Sequence, residues 1–83
     1  MRTRPDVVFR LLGNAAVLVD LSSNEIFELN ETGAAIWTLL SEGQAPAGIA
    51  DELVRRYAID RAAAEAETHA LVERFAALGL LVS

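Results

Sequence analysis

Apolar and polar positions in the first third of the chain are spaced as in β-strands, and the period then changes to that of helices. Val7 to Leu12 is an apolar run, β-branched at its start. Gly13 and Asn14 supply turn chemistry, and Ala15 to Leu21 is a second extended run, so the two predict a hairpin. Ser22, Ser23 and Asn24 form a polar turn cluster before a third strand at Glu25 to Leu29. Alternation puts Glu25, Phe27 and Leu29 on one face of that strand and Ile26 and Glu28 on the other. Asn30 predicts a helix N-cap, because its side-chain oxygen can accept from a first-turn amide that has no partner inside the helix. Glu31 suits the positive end of the helix dipole. This first helix is expected to run to about Leu40, with Ile36, Trp37, Leu39 and Leu40 in the core and Ser41, Glu42 and Gly43 closing it.

A second helix is expected from Pro46, whose fixed φ and missing amide suit a first helical position, to about Tyr57. Ile49, Leu53 and Tyr57 recur at four-residue spacing, with Asp51, Glu52, Arg55 and Arg56 outward. Asp60 is placed as the cap of a third helix over about Arg61 to Leu78, closed by Gly79, with Ala64, Thr68, Leu71, Phe75 and Leu78 forming one stripe. Leu80 to Val82 is expected to cross back over the core. The fold class is α+β, a three-stranded antiparallel sheet followed by three helices in a winged helix-turn-helix-like order. Nothing after Leu29 reads as a strand able to pair with the open side of the third one.

Composition narrows this picture. A chain of 83 residues makes one domain, spanning 1–83, whose single core buries roughly 60% of the surface exposed in the unfolded chain. The 53% hydrophobic content fits a globular protein, and the longest apolar run, Ala15 to Val19, is far too short for a membrane span. Asp6 and Arg10 interrupt the N-terminus, which fails as a signal peptide, so a cytoplasmic location is expected. The absence of cysteine excludes disulfides and thiolate metal sites. Net charge is -5, and residues 20–42 carry Asp20, Glu25, Glu28, Glu31 and Glu42 with no base, an acidic block.

Catalytic chemistry finds no parts. His69 is the only histidine, set between Glu65 and Glu73 at four-residue spacings away from the apolar stripe, and reads as a solvated surface residue. Glu25 and Glu28 fall on opposite strand faces and form no catalytic pair; as edge charges they discourage sheet aggregation. The five glycines fit no phosphate-binding spacing, so no enzyme, metal or cofactor is expected. A winged-helix DNA-binding protein is the alternative of another class. It needs a basic inserted helix, whereas the third helix sets Asp60, Glu65, Glu67 and Glu73 against Arg61 and Arg74. Neither nucleic acid nor membrane is an expected partner.

The stretch from Ala16 to Gly43, AVLVDLSSNEIFELNETGAAIWTLLSEG, resembles the signature of PqqD-like proteins, also called precursor-peptide recognition elements. A strand ending in Leu29-Asn30 leads through Thr32 to a helix of the type G-A-x-I-W-x-L-L-x-x-G, matched by Gly33, Ala34, Ile36, Trp37, Leu39, Leu40 and Gly43. Ile49, Leu53, Tyr57, Ile59 and Asp60 are similar to the family's second helix and the step after it, and Phe75 to Leu81 to its closing L-x-x-x-G-L-L type ending. The resemblance covers nearly the whole chain.

The family implies a non-catalytic adaptor that binds the N-terminal leader of a ribosomally synthesised precursor peptide and presents it to modifying enzymes. The leader is expected to add as a strand to the third strand, in the groove beside the third helix. Carried over to this chain, the backbone of Glu25, Ile26, Phe27, Glu28 and Leu29 would pair with it. Phe27, Leu71, Val72 and Phe75 would line apolar pockets, and Glu67 and Arg74 would meet polar leader positions. Proteins of the quinone-cofactor pathway usually carry an L-L-Y-P-E-G type turn before the third strand, where this chain has Val19 to Asn24. That turn looks more like the recognition subunit of lasso-peptide biosynthesis, which implies a leader peptidase and a cyclase as partners. The alternative is a PqqD-type peptide chaperone for a radical SAM enzyme, in the pyrroloquinoline quinone pathway or another such peptide pathway.

Overall fold

A computed structural model describes residues 2–82. The elements are β1 (Arg2–Thr3), β2 (Val7–Leu12), β3 (Ala15–Asp20), β4 (Glu25–Leu29), α1 (Glu31–Ser41), α2 (Pro46–Tyr57), α3 (Arg61–Ala77) and β5 (Leu81–Val82). β2, β3 and β4 form an antiparallel meander with β3 in the centre, followed by three helices, which is the expected α+β arrangement. The hairpin turns on two residues between the paired Leu12 and Ala15, with Gly13 at φ 65°, the glycine-first form of a tight hairpin loop.

Each helix boundary has a local cause. The Asn30 side chain accepts from the Gly33 amide at 2.8 Å and starts α1. At its other end Gly43 takes φ 89°, its amide reaches the Leu40 carbonyl at 3.0 Å and the Gln44 amide reaches that of Leu39 at 3.0 Å, so two end carbonyls are satisfied. The same pair of bonds closes α3, from Gly79 to Ala76 and from Leu80 to Phe75. Asp60 does occupy the N-cap position of α3, but its side chain makes no capping hydrogen bond.

α1 sits at the centre and buries Gly33, Ala34, Ala35, Ile36, Trp37, Leu39 and Leu40. Around it pack Leu18 of the sheet, Ile49 and Leu53 of α2, Phe75 of α3 and Leu80, with Trp37 and Phe75 edge to face at a centroid distance of 5.1 Å. The buried stripe of α3 runs through Ala64, Thr68, Val72 and Phe75. It departs from the expected one at two places: Leu71 is only half-buried, and Leu78 is an exposed residue at the C-cap. α3 packs chiefly against α2, which turns the stripe toward Val72.

Two features were not expected. The chain ends do not merely cross the core; they pair as a two-stranded sheet, with Arg2 opposite Val82 and Thr3 opposite Leu81. Asp20, read from sequence as part of an acidic block, is 3% exposed. The Arg4 guanidinium reaches its carboxylate at 3.1 Å, that of Asp6 at 2.7 Å and the Gly79 carbonyl at 2.7 Å, and so ties the N-terminus, the sheet and the end of α3 together. Burial pushes the Asp20 carboxyl up, but the Ser22 hydroxyl and amide and Arg4 outweigh it and hold it below the ordinary carboxylate value. Asp6 is held low chiefly by its bond from Arg4.

Candidate functional site: the free edge of β4 and its cleft

β4 is an edge strand. β3 lies on one side of it, and among the described residues no strand lies on the other. An edge of this kind presents backbone amides and carbonyls without partners, a template for one more strand. Phe27 pairs with Leu18 and Leu29 with Ala16 on the face turned to the core, while Ile26 stands 66% exposed on the opposite face. The strand is thus held through one face and open along its edge.

Beside this edge lies a cleft of about 170 Å³, lined by Glu28, Leu29, Asn30, Gly33, Leu71 and Arg74. Strand β4, the start of α1 and the middle of α3 therefore converge there. Gly33 allows the close approach: a Cβ at that position would lie 3.4 Å from Leu71 Cδ2 and 3.1 Å from Asn30 Oδ1. Near the same helix start, the Thr32 hydroxyl donates to Asn30 Oδ1 at 3.2 Å and is 3.4 Å from Glu67 Oε1. The lining sets the Arg74 guanidinium beside an apolar floor, and Arg74 has no ion-pair partner among the described residues. Such a cleft can accept an apolar side chain flanked by polar ones.

The residues expected to line a peptide groove are thus brought together unequally. Glu28, Leu29, Leu71 and Arg74 line the cleft, Glu67 stands at the Thr32 end, and Glu25, Ile26 and Phe27 lie along the adjoining strand. Val72 faces a different cleft, between α2 and α3, with Pro46, Ala47, Ala50, Glu65, Thr68 and His69. Phe75 is 1% exposed and belongs to the core against Trp37. Asn30 and Gly33 also line the cleft, beyond the cap and helix roles that the sequence predicts; the signal is a glycine inside a helix, which calls for a packing reason.

The surroundings offer little chemistry. Among the described residues no group of three or more His, Cys, Asp or Glu side chains could hold a metal ion. His69 is exposed and bonds Glu73 at 3.0 Å on the outer face of α3. No helix among the described residues is long and apolar enough to cross a membrane.

The family model of coenzyme PQQ synthesis protein D, PqqD, matches residues 15–81. The chain belongs to the PqqD family. No curated relative matches the sequence. Among solved structures, TbiB1 in complex with the TbiA(beta) leader peptide resembles this PqqD-family chain with a TM-score of 0.87 at 31% identity, over 98% of this chain and 94% of that one. Lasso peptide synthetase B1 complexed with the leader peptide gives a TM-score of 0.85 at 33% identity, over 99% and 96%. The PqqD match begins at Ala15, in β3, so β1, β2 and Arg4 lie outside it.

Proposed function

We propose that this PqqD-family chain is a non-catalytic adaptor that binds the leader segment of a ribosomally synthesised precursor peptide by strand addition to β4. The observation that carries the reading is the open β4 edge beside a cleft built by Leu71, Gly33 and Arg74, in a fold similar to two proteins solved with leader peptides. Backbone hydrogen bonds along Glu25–Leu29 supply affinity, and the cleft selects one apolar leader side chain. Glu67 and Arg74 read the polar residues beside it.

The pathway favoured is lasso-peptide biosynthesis, with a leader peptidase and a cyclase as the enzymes that receive the peptide, in the cytoplasm. The similarity to lasso peptide synthetase B1 at 33% identity supports it. Presentation to a radical SAM enzyme is the second reading, favoured by the match to the family of coenzyme PQQ synthesis protein D. Binding of duplex DNA is disfavoured by the exposed Glu65, Glu67 and Glu73 of α3, which repel phosphate. Titration of the isotope-labelled protein with synthetic leaders from the two kinds of precursor separates these readings. A lasso-type leader is expected to shift the β4 and Leu71 amides at micromolar concentration. A response to the quinone-type leader alone overturns the pathway, and a response to neither overturns the adaptor.

A further inference from the structure

The outer face of the sheet, away from the helices, is apolar and uncovered. Ladder register places Val8, Val19 and Ile26 in one row across the three strands, Arg10, Val17 and Glu28 in the next, and Leu12 opposite Ala15 at the hairpin end. The opposite side of β3 carries the buried Ala16, Leu18 and Asp20, so these rows face outward. Ile26 is 66% and Leu12 62% exposed, large values for aliphatic side chains. The only charges at these eight positions are Arg10 on one edge strand and Glu28 on the other, and neither has an ion-pair partner among the described residues.

We infer that this face docks a second copy of the same chain, sheet upon sheet. A two-fold axis running along β3 between two stacked sheets exchanges their edges while keeping the rows in register. Arg10 then lies over Glu28 of the second copy and Glu28 over its Arg10, Val17 meets Val17, and Ile26 meets Val8. A face with one positive and one negative edge in the same row is self-complementary under that operation, which is the requirement of a two-fold interface. Face-to-face stacking at a small inter-strand angle is a standard sheet packing. The axis leaves the β4 edge clear, so each copy retains its cleft and its edge, and this inference does not depend on the proposed peptide binding.

The contact is small. Strands of six, six and five residues present roughly 300 Å² from strand spacing and rise, against about 800 Å² per partner in a stable complex. A contact of this size belongs to weak, transient association. Sedimentation equilibrium of the purified chain, up to about 1 mM, tests this. Arg10→Glu sets like charges over each other twice per dimer and is expected to weaken association by about tenfold or more. The double variant Arg10→Glu/Glu28→Arg restores the pairing and is expected to return to within about threefold of the parent. Circular dichroism of both variants is the check that they are folded. Arg10 sits on the strand farthest from β4, so a dimer formed by pairing of β4 edges would not respond to it. A chain that stays monomeric throughout overturns the inference. So does an Arg10→Glu variant that associates like the parent, or a double variant that does no better than the single one.

Discussion

Thr68 is 1% exposed on α3, and its hydroxyl has no hydrogen-bond partner. Helical threonines commonly donate to the carbonyl four residues back, as Thr38 does to Ala34 at 2.9 Å. Thr68 does not. An unpartnered buried hydroxyl costs about 1–3 kcal/mol, and a methyl of the same shape in its place adds up to about 0.8 kcal/mol of apolar burial. Valine and threonine have similar helix propensities, so that term cancels. Thr68→Val is therefore expected to stabilise the fold by about 1–2 kcal/mol, which for a domain of this size raises Tm by roughly 5–15 °C. Thr38→Val, which removes a bond that is made, is the matched control and is expected to be neutral or to lose up to about 1 kcal/mol. Thermal unfolding followed by circular dichroism reads both. Equal changes in the two variants, or a loss of stability in Thr68→Val, would refute the reasoning by showing that the hydroxyl is bonded in solution through the α2–α3 cleft.

Removing the Arg4 guanidinium with Arg4→Met is expected to lower the urea midpoint, since it leaves the buried Asp20 with only its Ser22 bonds. Asp6 and Asp20 titrate below the ordinary value of 3.8 in the folded chain. Their contribution is thus present above that value and is lost as pH falls through the lower folded values; a stability profile from neutral to acid pH should be shallower in the variant than in the parent. Gly33→Ala would gain about 1 kcal/mol of helix propensity at an open site. Here the new Cβ meets Asn30 Oδ1 at 3.1 Å and disturbs a cap worth about 1 kcal/mol, so stability should stay within about 0.5 kcal/mol of the parent, and denaturant titration showing the full gain would contradict that account. Leu71→Ser is expected to weaken leader binding by about tenfold, measured by calorimetry, while Leu78→Ser, outside the cleft, should leave it unchanged.

Much of the architecture was legible because its signals are local. Gly13-Asn14 between two apolar runs, Asn30 before Glu31, and Gly43 and Gly79 at positive φ each fix a boundary within a few residues. β1 and β5 carry no such signal. Each is two residues long, and their pairing joins opposite ends of the chain, so it follows only once the helices are packed. Asp20 belongs to the acidic block along the chain but not by face. Alternation puts it with Ala16 and Leu18, where a carboxylate needs a cation, and Arg4 supplies it. On α3 a stripe drawn at 100° per residue selects Leu71, whereas the core takes Val72, because that depends on how far the helix rolls against α2. The open edge of β4 was readable from the strand count, whereas its neighbouring cleft required the three-way meeting of Gly33, Leu71 and Leu29.

The central claim is that the vacant edge of β4 is where a second polypeptide binds. Its most direct test is an amide chemical-shift titration of the full chain with the leader peptide of its precursor. The account predicts that the largest shifts fall on Glu25–Leu29 and around Gly33, Leu71 and Arg74, with new hydrogen-exchange protection along β4. Largest shifts around Ala47, Ala50 and His69, with β4 unmoved, would contradict it.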